Sequence, residues 1–232
     1  MSMKLILENW RNFQLNEIFD NPVSSDEITG PEAMVGNFSK KVRAQRWRFK
    51  VGVHEYTVML EDMLKGSSEA HLEDYLATYE LSFHIGSSPT RGFDSYAATN
   101  YGFKSGMKVI STVVAILEEW ISKNDFFLIE ALADPDEENR VKMYNRTLKT
   151  LQKKLGSDYE TARTDDGFLG LINVGLIERG VDKFTQKGED RTARQLISAV
   201  LKSLKYHSIK GNTEKRVINK FNDLQVMRGI KE

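Results

Sequence analysis

The chain is 232 residues long, 40% hydrophobic and without cysteine, and its 33 Lys and Arg balance 33 Asp and Glu. That length supplies one full core and a smaller second one, the missing cysteine excludes disulfides, thiolate chemistry and cysteine-ligated zinc, and no uncharged stretch reaches the ~18 residues of a membrane span. Charge is unevenly placed, with 21 basic and 27 acidic side chains over residues 1–180 against 12 and 6 over residues 181–232; this marks either an acidic partner such as nucleic acid, or two parts of one molecule or neighbouring copies attracting each other.

The opening segment has three apolar residues, Leu5, Ile6 and Leu7, before Glu8, too few for a secretory leader, so a cytoplasmic setting is expected. Leu5, Ile6, Trp10 and Phe13 predict a short amphipathic helix over residues 3–13. Residues 14–40 hold no sustained period and are punctuated by Asn21-Pro22, Ser24-Ser25 and Gly30-Pro31, the pattern of a loop. From Arg43 to Val51, Trp47, Phe49 and Val51 alternate with Arg46, Arg48 and Lys50, so one face of a strand packs and the other is basic. Residues 52–55 turn the chain, Tyr56, Val58 and Leu60 repeat the alternation, and Tyr79, Leu81, Phe83 and Ile85 form a third run with Glu80, Ser82 and His84 between them. Three antiparallel strands covered on one side are expected.

Residues 86–105 read as a long irregular connection, a place where function often sits. After Gly106, Val109, Val113, Ile116, Leu117 and Trp120 make the apolar stripe of a helix. Residues 126–131 are almost wholly apolar, as in a strand buried on both faces. The next helix is the best defined: Asp134 as N-cap, Pro135 at its first position, Glu137 reaching back, a stripe of Val141, Tyr144, Leu148, Leu151 and Leu155, and Gly156 as the stop. Residues 159–163 add a last strand. Beyond residue 165, Phe168, Leu169, Leu171 and Ile172 suggest a short apolar contact, and periodic runs at Leu196–Leu204 and Val217–Leu224 predict two helices. The expected architecture is an α+β domain over residues 1–165, mostly antiparallel sheet with packed helices, followed by a separate basic helical extension over residues 166–232.

Little of this is recognisable catalytic machinery. There is no Gly-x-Ser-x-Gly elbow and no Ser, His and Asp grouping. His54, His71, His84 and His207 are scattered, and the cluster Glu69, His71, Glu73 and Asp74 reads as solvated surface, so no metal site is expected. The amides around Lys104, Ser105 and Gly106, just ahead of a helix, form either an anion cradle or a plain glycine-rich turn. Lys40, Lys41, Arg43, Arg46, Arg48 and Lys50, interleaved with Trp47 and Phe49, suggest nucleic-acid contact, but the alternation turns the aromatics away from the cations, and with Glu61 and Glu80 on neighbouring strands placed to pair with the arginines a solvated, partly paired sheet face is favoured. Lys202, Lys205, Lys210, Lys215, Arg216 and Lys220 make the better candidate patch for nucleic acid or another partner.

The order of elements, helix, three antiparallel strands, glycine-containing connection, helix, buried strand, capped helix and last strand, resembles the GNAT acyltransferase fold. In that family the connection carries Arg/Gln-x-x-Gly-x-Gly/Ala, whose amides bind the pyrophosphate of acetyl-CoA; here Gly106 stands on the central glycine, Phe103 where Arg or Gln belongs, and Lys108 where a small residue belongs. The resemblance implies acetyl-CoA contacts at Lys104, Ser105 and Gly106 and a general acid at Tyr144, which also falls on its helix's apolar stripe. Residues 47–159 are in addition similar to a group of uncharacterised phage-encoded proteins, through Tyr56-x-Val58, Ser82-Phe83, Val109-Ile110-Ser111-Thr112-Val113-Val114 and Arg140-x-x-x-Tyr144, together with the opening Leu5-Ile6-Leu7-Glu8-Asn9-Trp10-Arg11. This implies a phage protein in the host cytoplasm or the virion. Three functional expectations follow: a non-catalytic binding or assembly module needing no cofactor and contacting a protein partner or its own copies; an acetyl-CoA-dependent N-acyltransferase; and a nucleic-acid-binding protein.

Overall fold

The computed structural model describes residues 22–28, 44–63, 72–85, 103–132, 138–164 and 167–227. The helix expected over residues 3–13, the connection up to residue 102, the N-cap of Asp134, Pro135 and Glu137, and Lys40, Lys41, Arg43, Glu69 and His71 lie outside them. The chain is α+β, with seven strands among the described residues and mostly antiparallel pairing. The strands are β1 (Ser25–Ile28), β2 (Ala44–Val51), β3 (His54–Asp62), β4 (Thr78–Ile85), β5 (Leu128–Leu132), β6 (Tyr159–Arg163) and β7 (Phe168–Asn173). The helices are α1 (Glu73–Leu76), α2 (Phe103–Ile121), α3 (Glu138–Leu155), α4 (Val174–Gln186), α5 (Asp190–Tyr206) and α6 (Asn212–Met227). Two compact units divide the chain, residues 1–60 with 82–120 and residues 61–81 with 121–232.

In the first unit the strands run in the order β1-β2-β3. β2 and β3 are joined at Gly52, whose φ of +64° suits glycine, and Phe49 stacks on Tyr56 at 5.3 Å. β1 corrects the expectation of a loop. It pairs antiparallel with β2, Asp26 opposite Arg48 and Ile28 opposite Arg46, so a four-residue acidic strand is held by a basic partner. A second correction concerns β3, in which Thr57 and Met59 are buried as fully as Tyr56, Val58 and Leu60. The run Tyr56–Leu60 contains no charge, so nothing in it resists covering both faces. α2 buries the expected stripe together with Met107, Ile110 and Val114. Its Thr112 Oγ1 accepts the Val23 amide at 3.1 Å, and Trp120 Nε1 donates to Gln45 of β2, which ties the helix to both ends of the β1–β2 pair.

In the second unit the strand order is β4-β5-β7-β6. β4 and β5 are parallel, with Thr78, Tyr79 and Glu80 opposite Leu128, Ile129 and Glu130, while β7 is antiparallel to both β5 and β6. Residues 168–173, expected as a short contact of a separate extension, are therefore a strand, and β6 and β7 pair across the boundary expected at residue 165. α4, a third C-terminal helix absent from the sequence reading, follows β7 directly. Asn173 caps it by accepting the Leu176 amide at 2.9 Å. α4, α5 and α6 pack on one another, and Ile177, Val181, Leu196 and Val200 share a core with Leu128 of β5 and Phe168 and Ile172 of β7. The extension is thus continuous with the sheet core. Leu169 and Leu171 point to the opposite face and are buried too, the face left for α3, which packs on β6 and β7. α3 stops at Leu155, with Gly156 at φ +91° donating to the Gln152 carbonyl.

Candidate functional site

The basic row of β2 is not a solvated face. Arg46 is only 6% exposed, Arg48 is half-buried and only Lys50 is exposed. The cleft beside it, of about 520 Å³, is lined by Asp26 and Glu55 as well as Arg48 and Lys50, so its charges offset one another. Lys104, Ser105 and Gly106 lie within the first turn of α2, which starts at Phe103; the segment expected as a turn ahead of the helix is itself helical. Tyr144 is 1% exposed, among the buried residues of the α3 stripe, the position of a core tyrosine.

The C-terminal cations fall into two groups. On α6, Arg216 forms a bidentate pair with Glu178 of α4, at 3.1 and 2.9 Å, and also donates to Glu160 of β6 at 3.1 Å and to the Ser157 carbonyl at 2.8 Å. The hydrogen bond to Glu178 holds the guanidinium pKa above its usual value, with burial opposing and Glu160 adding to the effect. Lys220 pairs with Asp182 of α4 at 2.8 Å. These bonds fasten α6 to α4 and β6, those of Arg216 joining the basic tail to carboxylates of the acidic body, and remove Arg216 from the candidate contacts. Lys215, directly before Arg216, is exposed.

On α5 the arrangement differs. Arg194, Lys202 and Lys205 line a groove of about 310 Å³ between α5 and α6, floored by Ile197, Leu201 and Phe221. Among the described residues none of these three cations is paired with a carboxylate. The steps from 194 to 202 and 205 keep them along one side of the helix, while Leu196, Val200 and Leu204 turn inward. Sequence reasoning found Lys202 and Lys205 but missed Arg194 and Phe221, whose shared groove depends on how α6 crosses α5.

The other constellation escaped the sequence altogether. Glu130 of β5, 6% exposed, sits opposite Glu80 of β4 and Gly170 of β7. Its Oε2 lies 3.5 Å from His207 Nδ1 and is buried without a hydrogen-bond partner among the described residues. Burial, with Glu80 adding to it, pushes the carboxyl from 4.5 up to about 7. His207 follows the end of α5, and its ring meets that of Phe168 of β7 at a tilt of 32° with centroids 4.8 Å apart. The carboxyl can hold a proton near neutral pH, but at 6% exposure Glu130 is shut away from a substrate. One signal was present in the sequence: a single glutamate inside the otherwise apolar run 126–131.

Among the described residues no group of three or more His, Asp or Glu is placed to hold a metal ion, and no helix is long and apolar enough to cross a membrane. No protein-family model, curated protein or solved structure matches the chain.

Proposed function

We propose that the chain is a non-catalytic binding module, built on a GNAT-like core, that holds an acidic partner in the groove between α5 and α6. The observation that carries this reading is the contrast between the two basic helices. On α6, Arg216 and Lys220 are engaged by Glu160, Glu178 and Asp182 and Lys215 stands exposed, whereas Arg194, Lys202 and Lys205 of α5 surround an apolar-floored groove and have no such partners among the described residues. Internal charge balance accounts for the first set and leaves the second to a partner. The GNAT-like part is supported by the order β1–β4, α2, β5, α3, β6 along the chain. A virion-associated setting, implied by the resemblance to phage-encoded proteins, suits a module of this kind.

Acetyl-CoA-dependent chemistry is not adopted. The tyrosine that would serve as general acid is 1% exposed, out of reach of a departing thiolate, and Phe103 stands where the family's coenzyme motif has Arg or Gln. The residues present do not fit the coenzyme. A thermal-shift titration with coenzyme A and acetyl-CoA, with ATP as control, checks this: no shift at millimolar coenzyme is expected, and a saturable rise specific to the coenzymes would put the acyltransferase first.

The binding reading is tested by retention on immobilised heparin. Lys202→Gln combined with Lys205→Gln is expected to elute at clearly lower salt than the parent, while Lys215→Gln on α6 elutes close to it. Equal elution of all three would remove the groove as the contact.

A further inference from the structure

α5 ends in an exposed aromatic. Tyr206 is 84% exposed, and its ring meets His207 edge-on, with centroids 4.9 Å apart and planes at 89°. His207 in turn packs at a tilt against Phe168 of β7, so the tyrosine is braced against an anchored neighbour. Lys202 lies one turn before Tyr206 and Lys205 directly before it. At 1.5 Å per residue, Arg194 and Lys205 stand about 16 Å apart along the axis.

We infer that the acidic partner is a single-stranded nucleic acid, its phosphates running along Arg194, Lys202 and Lys205 and an unstacked base lying on Tyr206. This rests on the binding-module reading above and names its partner. An acidic peptide would satisfy the cations and leave the exposed ring without a role. A duplex keeps its bases inside the stack, so the tyrosine would have nothing to lie against. An aromatic plane flanked by cations suits a single strand, because every base offers a π-face and every nucleotide a phosphate. The apolar floor of Ile197, Leu201 and Phe221 offers a second surface to a base edge or ring.

Fluorescence anisotropy with a labelled twenty-residue oligothymidylate and the full chain tests the inference. Saturable binding is expected, with a log–log salt slope of about −2 for three phosphates on a single strand, or roughly a twenty-fold loss between 50 and 200 mM salt. Lys202→Gln with Lys205→Gln flattens that slope to about −0.7. Tyr206→Ala, a surface change that leaves the melting temperature in place, weakens binding roughly ten-fold without altering the slope. An affinity unchanged by Tyr206→Ala overturns the stacked-base arrangement. If polyglutamate binds through the same lysines and the oligonucleotide does not, the nucleic-acid inference fails and the binding module stands. If neither binds at low salt, both fail.

Discussion

Replacing Glu130 by glutamine separates burial from charge at one atom. The carboxyl is closed off between Glu80 on β4 and Gly170 on β7 with His207 at 3.5 Å, and its pKa is pushed from 4.5 to about 7. The folded state therefore holds a proton that the unfolded chain releases between those values. The resulting stability is fully present below pH 4.5 and is lost as pH rises through about 7. At 1.36 kcal/mol per pH unit the interval corresponds to at most about 3 kcal/mol, and relaxation and water entry around the ionised carboxylate reduce it to about 2 kcal/mol. Glu130→Gln keeps the shape and the neutral state, so it should match the parent at pH 4 and exceed it by about 2 kcal/mol at pH 8.5, or roughly 4–8 °C in a chain of this size. Thermal and urea melts of both proteins across that range measure the difference. Parallel pH profiles would show that Glu130 ionises in the folded state as easily as in water, and the argument from burial would fall.

Two further substitutions probe the second unit. Arg216→Ala leaves Glu160 and Glu178 without their guanidinium and should cost about 1–2 kcal/mol in urea melts, with Arg216→Lys recovering less than half because one ammonium lacks the fork geometry; a loss below about 0.5 kcal/mol would mean solvent replaces the network. Gly180→Ala places a Cβ 2.6 Å from the Tyr75 ring and 3.0 Å from Leu196 Cδ2, so the ~1 kcal/mol gain expected of alanine inside a helix is outweighed by an overpacking cost of about 1–3 kcal/mol; a stabilised variant would refute the close approach.

What the sequence disclosed and what it hid divide along a physical line. Where one face meets a core and the other meets water, the period is visible, and the stripe of α3 and the runs at Leu196–Leu204 and Val217–Phe221 were legible; β2 was legible because Arg46, Arg48 and Lys50 alternate with Trp47, Phe49 and Val51, although its basic row is largely covered. β1 has four residues and no apolar period of its own; only its register with β2 makes it a strand. β7 is buried on every side, and a continuous apolar run does not tell a strand from a helical contact. α4 was hidden by Gly175 and Gly180, which break its apolar spacing because Asp158 and Tyr75 lie where side chains would be. As for the candidate site, Lys202 and Lys205 could be named from sequence, but Arg216 could not be told from them. The difference is whether a folded carboxylate stands within reach, and Glu160 and Glu178 are dozens of residues away in the chain.

The place of β7 between β5 and β6 also sets an order of assembly during synthesis. β6 leaves the ribosome before the strand it must pair with; until Phe168–Asn173 emerges, the bonds open to it are local ones, the Tyr159 amide to the Gly156 carbonyl and the Tyr159 carbonyl and Thr161 hydroxyl to the Gln152 side chain. β5 waits with one side open for the same six residues. A nascent chain paused near residue 165 thus exposes two strand edges at once, a state prone to mispairing. The last strand to be made closes both of them in one step.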